Sequence, residues 1–270
     1  MQHVTLNDGH IMPVLGLGVY LSKDGQEVIN AIHWALDAGY RHIDTAKIYK
    51  NEEGVGQAIQ SAAVPREDIF LTTKIWNDDI RAGNTQQALE TSLRKLDTDY
   101  VDLLLLHWPV DGSAAAWEVL ERAKEKGQVK SIGVSNFMPE HLDDLLHGAS
   151  TVPAVNQIEY HPYNQQRDVL AACAAKDIVV TAWSPLMQGK FKEVPLLEEI
   201  GRRYGKSAVQ VLLRWDLQTG VTTIPKSVNQ QRIKANFDIF DFELSAAEVT
   251  QITALERGER VGPDPRDFSF

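Results

Sequence analysis

The chain has a single cysteine in 270 residues, so it cannot form an internal disulfide, and no Cys/His spacing typical of a zinc site occurs. That residue, Cys173, sits in the apolar helical stretch "VLAACAAKD" and reads as a small buried side chain. No apolar run approaches the roughly 20 residues that a membrane helix needs. The first ten residues lack the apolar core of a secretory signal, so a cytoplasmic location is expected. Positive charge is scarce, with 27 Lys and Arg against 37 Asp and Glu and a net charge of −10. Nucleic acid and anionic membranes are therefore not expected as partners through bulk electrostatics, which leaves room for a local basic patch that holds a small anionic ligand. A dinucleotide fingerprint is also missing, because Gly16–Gly18 continues as "VYLS" without a third glycine. Nor does any stretch rich in Ser, Pro or like charge divide the chain, which argues for one domain over residues 1–270, expected to act as a monomer.

What is present is a regular alternation. Short β-branched runs occur at Val14–Leu17, Arg41–Ile43, Ile69–Thr73, Val101–Leu106, Ser131–Val134, Ala154–Ile158, Ile178–Ala182 and Val221–Ile224. Between them lie segments of helical period. "QEVINAIHWALDAG" puts Val28, Ile32, Ala35 and Leu36 on one face and stops at Gly39, and "TQQALETSLRKLD" repeats Leu89, Leu93 and Leu96. "PEHLDDLLHG" opens on a proline, carries acids early and ends at Gly148. Two helices, Val194–Tyr204 and Ser207–Thr219, separate the last two strands; Gln230–Phe237 and Ala246–Glu256 follow. Eight β–α repeats in a chain of this size predict a single (β/α)8 TIM barrel with two extra helices, ahead of a doubly wound open sheet. The segment "HVTLNDGHIMP", with Asn7-Asp8-Gly9 at its turn, predicts an N-terminal β-hairpin that closes the barrel bottom.

In such a barrel the reactive face carries the carboxyl ends of the strands. Asp44, Lys74 and His107 stand at three of those ends, about one repeat apart, and Tyr49 follows Asp44 in the loop. Each alone has a plain reading: a helix cap, a snorkelling lysine, a core histidine, a packing phenol. Together on one face they are proton-transfer machinery. A phenol has a reference pKa near 10, and the Lys74 ammonium is expected to lower it. Asp44 keeps that lysine charged, and His107 is expected to be neutral and able to donate one hydrogen bond to a carbonyl oxygen. With no metal cluster or second nucleophile, the attacker on the carbonyl carbon is expected to be hydride from a bound cofactor.

The motifs "GYRHIDTAKIYKNEEGVG", "LLLLHWP", "IGVSNF", "NQIEYHP", "AWSPL" and "IPKSVNQQRIKANFDIFDFEL" closely resemble the aldo-keto reductase superfamily, nearest its microbial 2,5-diketo-gluconate reductase-like branch. The resemblance runs from Leu6 to the "GPDP" near the end of the chain. It implies an NADP(H)-dependent oxidoreductase that reduces aldehyde or ketone groups of small carbonyl compounds, with Tyr49 as general acid/base. Lys74 and Asp44 would tune it and His107 would orient the carbonyl. It implies that Ser135, Asn136 and Gln157 bind the nicotinamide carboxamide, and that Trp183 stacks under the ring. Ser184, Leu186 and Gly189 would line the pyrophosphate. Lys226, Ser227 and Arg232 would hold the adenosine 2′-phosphate and Asn236 the adenine. Cations behind an apolar strand in an acidic protein also suit a phosphate monoester on chemical grounds, favouring NADPH over NADH.

The chain departs from the family pattern at Ala235, where many relatives carry a glutamate beside the adenine, and at Asn229, where some carry a further cation. Lys47 adds a charge between Asp44 and Tyr49 and is expected to point to solvent. Tyr20, Trp76 and Trp108 are expected to wall the substrate cleft, and the short segment after Glu256 to leave that cleft open to many small substrates. Two alternatives have their own signatures: a non-catalytic NADP(H)-binding or structural protein would not need the tetrad, and a hydrolase on the same barrel would not bind NADPH.

Overall fold

The computed structural model describes residues 2–270. Strands β1 (His3–Thr5) and β2 (Ile11–Pro13) form an antiparallel hairpin in which Val4 pairs with Met12. Its turn is set by Gly9 at φ 89° and by Asp8, whose Oδ1 accepts from the His10 amide at 3.2 Å.

Eight parallel strands follow: β3 (Leu17–Gly18), β4 (His42–Asp44), β5 (Phe70–Ile75), β6 (Val101–Leu106), β7 (Val129–Ser135), β8 (Val155–Glu159), β9 (Val179–Trp183) and β10 (Thr222–Thr223). They lie side by side in chain order. Parallel bridges Leu15–Thr223 and Gly18–Lys226 join the first to the last, so the sheet closes on itself. The glycines that lack a dinucleotide fingerprint serve this closure: a Cβ on Gly18 would lie 2.7 Å from the Ile224 carbonyl oxygen, and one on Gly16 2.8 Å from the His42 ring. The predicted barrel is borne out, and the strands lie within two residues of where they were expected, except that the first begins at Leu17, three residues after the expected Val14.

Helices α1 (Gln26–Ala38), α2 (Glu52–Gln60), α3 (Asn77–Arg81), α4 (Thr85–Leu96), α5 (Ser113–Glu125), α6 (Pro139–Leu146) and α7 (Arg167–Ala174) occupy the crossovers. Helices α8 (Pro195–Tyr204) and α9 (Ala208–Gln218) lie between β9 and β10, with α10 (Gln230–Phe237) and α11 (Ala246–Thr253) after them. The apolar stripe expected on α1 is buried, and Gly39 ends that helix in the left-handed conformation at φ 107°. The short α3 has no apolar period of its own and was not expected.

Burial follows the two faces of the sheet. Leu104 and Leu106 of β6 pack outward against the helices, while Leu103 and Leu105 face inward. The inward pair joins Phe70, Val155 and the hairpin residues Leu6 and Met12, so the hairpin plugs the bottom of the barrel as predicted. Apolar side chains therefore fill the lower barrel and leave polar ones for the top. Cys173 is buried, with the Asn156 amide donating to its sulfur at 3.6 Å, and burial pushes its thiol up to about 11. Among the described residues no helix is long and apolar enough to cross a membrane.

Candidate active site

Parallel pairing places partnered residues on the same face of the sheet. Asp44 pairs with Thr72, Lys74 with Leu105, Ser135 with Gln157, and Glu159 with Trp183. Lys74 thus stands two residues above Asp44's partner on the inward face. Its Nζ donates to Asp44 Oδ1 at 2.6 Å, to the Thr45 carbonyl at 2.9 Å and to the Tyr49 hydroxyl at 3.3 Å. Asp44 Oδ2 accepts from Gln157 Nε2 at 2.7 Å. Asp44 and Lys74 are the last inward residues of their strands rather than the first loop residues. Their side chains are consequently sealed by the barrel wall, with Lys74 0% exposed.

Tyr49 ends a short 3-10 turn, Lys47–Tyr49, and its ring centroid lies 5.8 Å from that of His107. Asn51, fully buried, pins this turn: it accepts from Thr45 Oγ1 at 2.8 Å and donates to the carbonyls of Val19 and Ser22. Sequence reasoning missed Asn51, although a polar Asn-Glu pair two residues after the phenol was visible. The tetrad Asp44, Tyr49, Lys74 and His107 is thus brought into one cluster.

The electrostatics differ from expectation at one group. Burial, then the Asp44 carboxylate and Tyr20, hold the Tyr49 phenol well above its ordinary pKa. The expected lowering by Lys74 does not prevail, because the ammonium lies closer to Asp44 than to the phenol. Lys74 itself is lowered by burial, opposed by Asp44, and His107 is held well below the usual imidazole range by burial and by Lys74. The resting site is therefore a protonated phenol beside a neutral imidazole, as His107 was expected to be.

The residues that the resemblance assigns to a nicotinamide form one bonded set. Ser135 Oγ donates to the Gln157 carbonyl at 2.7 Å, and Asn136 Nδ2 donates to the His107 carbonyl at 3.0 Å and to Ser135 Oγ at 3.1 Å. Trp183 Nε1 donates to Asn136 Oδ1 at 2.8 Å. Asn136 adopts φ 65°, a left-handed conformation that costs a non-glycine residue about 1 kcal/mol or more and that these bonds hold in place. The amide nitrogens of Gln157 and Asn136 are engaged internally, so much of this set braces the tetrad as well as the cleft. Beyond Trp183, Ser184 and Leu186 are half-buried, and the chain turns through Gly189 at φ 99°.

At the far end, Lys226 and Arg232 are exposed while Ser227 and Asn236 are buried. The ion pairs of this region join Lys206 to Asp238 and Asp241 instead. Asn229 caps α10 by accepting from the Arg232 amide at 3.0 Å. The exposed Ala235 follows on the same helix.

The aromatic residues expected to wall a substrate cleft lie beside the tetrad, but the space they border is not open. The Tyr20 ring lies 5.0 Å from Tyr49 at the mouth, and Trp76 meets His107 edge-on at 5.2 Å. The segment after Glu256 returns across the cleft, contrary to expectation. Phe270 stacks on Trp76 at 5.9 Å, and Phe268 lies 4.9 Å from Trp108. The Phe270 carbonyl accepts from Arg81 at 2.9 Å and from Asn77 at 3.3 Å. A short segment covers the cleft because it crosses it directly. Lys47, expected to face solvent, is instead paired with Asp79 at 2.5 Å across the rim.

Compared with known proteins, residues 14–257 match the sequence model of the Aldo/keto reductase family. The chain belongs to that family. The glyoxal reductase of Bacillus subtilis (strain 168) is 47% identical over 268 residues, covering 99% of this chain and 97% of that protein. The methylglyoxal reductase DkgA of Escherichia coli (strain K12) is 46% identical over 270 residues, with 98% and 97% covered. The crystal structure of a Bombyx mori aldo-keto reductase in complex with NADP is 37% identical, with a TM-score of 0.90, covering 97% of this chain and 95% of that one. As a member of this family the protein is an oxidoreductase.

Proposed function

We propose that this aldo-keto reductase reduces the carbonyl group of small aldehydes and ketones with NADPH, acting on compact dicarbonyls of the methylglyoxal and 2,5-diketo-gluconate kind. The observation that carries the reading is Lys74 Nζ, buried and shared between the Asp44 carboxylate and the Tyr49 hydroxyl. The relatives named for glyoxal and methylglyoxal reduction support the substrate class, and the NADP complex of a structural neighbour supports the cofactor.

The residues present fit such a cofactor. Trp183 is half-buried with its indole nitrogen fixed, and Lys226 and Arg232 stand exposed, their charge available for a phosphate monoester. When bound, NADPH supplies the hydride. Everything else is done by side chains of the chain. Neutral His107 donates to the carbonyl oxygen and orients it under Trp76 and Trp108. Tyr49 keeps its proton at rest because its pKa is raised, and delivers it as negative charge grows on that oxygen. Lys74 then stabilises the phenolate, while Asp44 prevents the buried ammonium from giving up its own proton. A raised phenol pKa suits the reductive direction, since the acid must be loaded before the carbonyl arrives.

The test is NADPH oxidation against a panel of methylglyoxal, glyoxal, diketo-sugar acids and aromatic aldehydes, repeated with NADH and with Arg232→Ala. We expect NADPH to be preferred. Arg232→Ala should raise its KM about tenfold or more, the loss of one charged hydrogen bond, with NADH little changed. Equal losses with both cofactors would remove Arg232 from the 2′-phosphate site.

A further inference from the structure

Glu159 is the last residue of β8, partnered with Trp183 of β9, and has no part in the chemistry above. Its side chain is 0% exposed, which for a carboxylate demands dedicated partners. Those partners come largely from the other end of the chain. Oε1 accepts from the Val261 amide at 2.5 Å and lies 2.9 Å from His161 Nε2. Oε2 accepts from the Gly262 amide at 3.2 Å, and Arg260 Nη1 stands 3.9 Å away. Arg260 in turn donates to Gln166 Oε1 at 2.9 Å. Glu159 therefore grips two successive main-chain amides of segment 260–262.

That grip has a consequence at Trp183. Gly262 lies so close to the indole that a Cβ would sit 2.4 Å from Cη2 and 2.9 Å from Cζ3. The opposite edge of the same indole is tied by Nε1 to Asn136 Oδ1. The ring is thus clamped at both edges, by Asn136 on one side and by the Glu159-held main chain on the other. A ring clamped in this way offers a preorganised face and loses little freedom when a planar ligand stacks on it.

We propose that Glu159 is a positioning residue for cofactor binding: by fixing residues 260–262 against Trp183 it sets the plane on which the nicotinamide stacks. The inference rests on the reading of Trp183 as part of the NADPH site. It makes the segment after Glu256 part of that site, in addition to its place over the substrate cleft.

Calorimetric titration of the full chain with NADPH and, separately, with adenosine 2′,5′-bisphosphate tests it. The second ligand carries the adenosine half and no nicotinamide. Gly262→Ala pushes on the indole directly, and Glu159→Gln removes an acceptor from the amides; the alanine variant keeps the test open if the glutamine variant does not fold. Both variants are expected to weaken NADPH about tenfold, the scale of one stacking contact, and to leave the bisphosphate unchanged. Unchanged NADPH affinity in Gly262→Ala would overturn the proposal. So would an equal loss for both ligands, which marks a general defect and not a displaced ring. If the unaltered protein bound the bisphosphate but not NADPH, the assignment of Trp183 to the nicotinamide would fall first, and this inference with it.

Discussion

Lys74 is wholly buried and stays compatible with burial because a carboxylate, a carbonyl and a phenol surround its ammonium. Burying an unpaired ammonium would cost several kcal/mol, so Asp44 is a condition for the charge. The same low-polarity interior acts on a neighbouring histidine that takes no part in the proposed chemistry. His42, with Nε2 3.1 Å from Thr72 Oγ1, is lowered by burial to about 4. Its unfolded form takes up a proton below about pH 6.5, whereas the folded one does so only near its lowered value. The stability it contributes as a neutral group is therefore fully present above about pH 6.5 and is lost as pH falls towards the folded value, a change of roughly 3 kcal/mol. Urea unfolding at about pH 7 and about pH 4.5 should show this loss, and His42→Gln should flatten it. An unchanged pH slope in that variant would show that another group carries the acid sensitivity.

Among the elements, strands and helices were the legible part of the sequence. β6 reads as "VDLLLL" because both its faces are buried, and α1 shows its stripe because one face is. Asp44, Lys74 and His107 could be found because strand ends are easily located and all point to one mouth. The segment from Arg257 to Phe270 offers no period of either kind. Its place depends on contacts such as Arg81 with Phe270, 189 residues apart, and on the buried Glu159. Shortness alone predicted an open cleft, and the aromatic pair at its end reversed that. We expect Phe270→Ala to enlarge the space above Trp76. The ratio of kcat/KM for an aromatic aldehyde over methylglyoxal should then rise, by about tenfold at most for one ring removed from a pocket wall. An unchanged ratio would mean that the segment lifts away before substrate enters.

At the scale of the whole molecule, the closed barrel divides its interior into a lower part filled by Leu6, Met12, Phe70, Leu103 and Leu105 and an upper part lined by Asp44, Lys74 and Gln157. That division lets an unspecific apolar core support a specific polar site, since the register that aligns the leucines also aligns the tetrad. The sequence conveyed the division through its repeats. It did not convey the balance of burial against charge at Tyr49, because that depends on distances of a few ångströms. The central claim is that this phenol is the proton donor. Rapid mixing of the NADPH complex with methylglyoxal, following loss of NADPH in a single turnover, measures it in Tyr49→Phe. The account predicts a rate lower by about two to four powers of ten, with NADPH affinity within about twofold of the unaltered protein. A rate equal to that of the unaltered protein would contradict it.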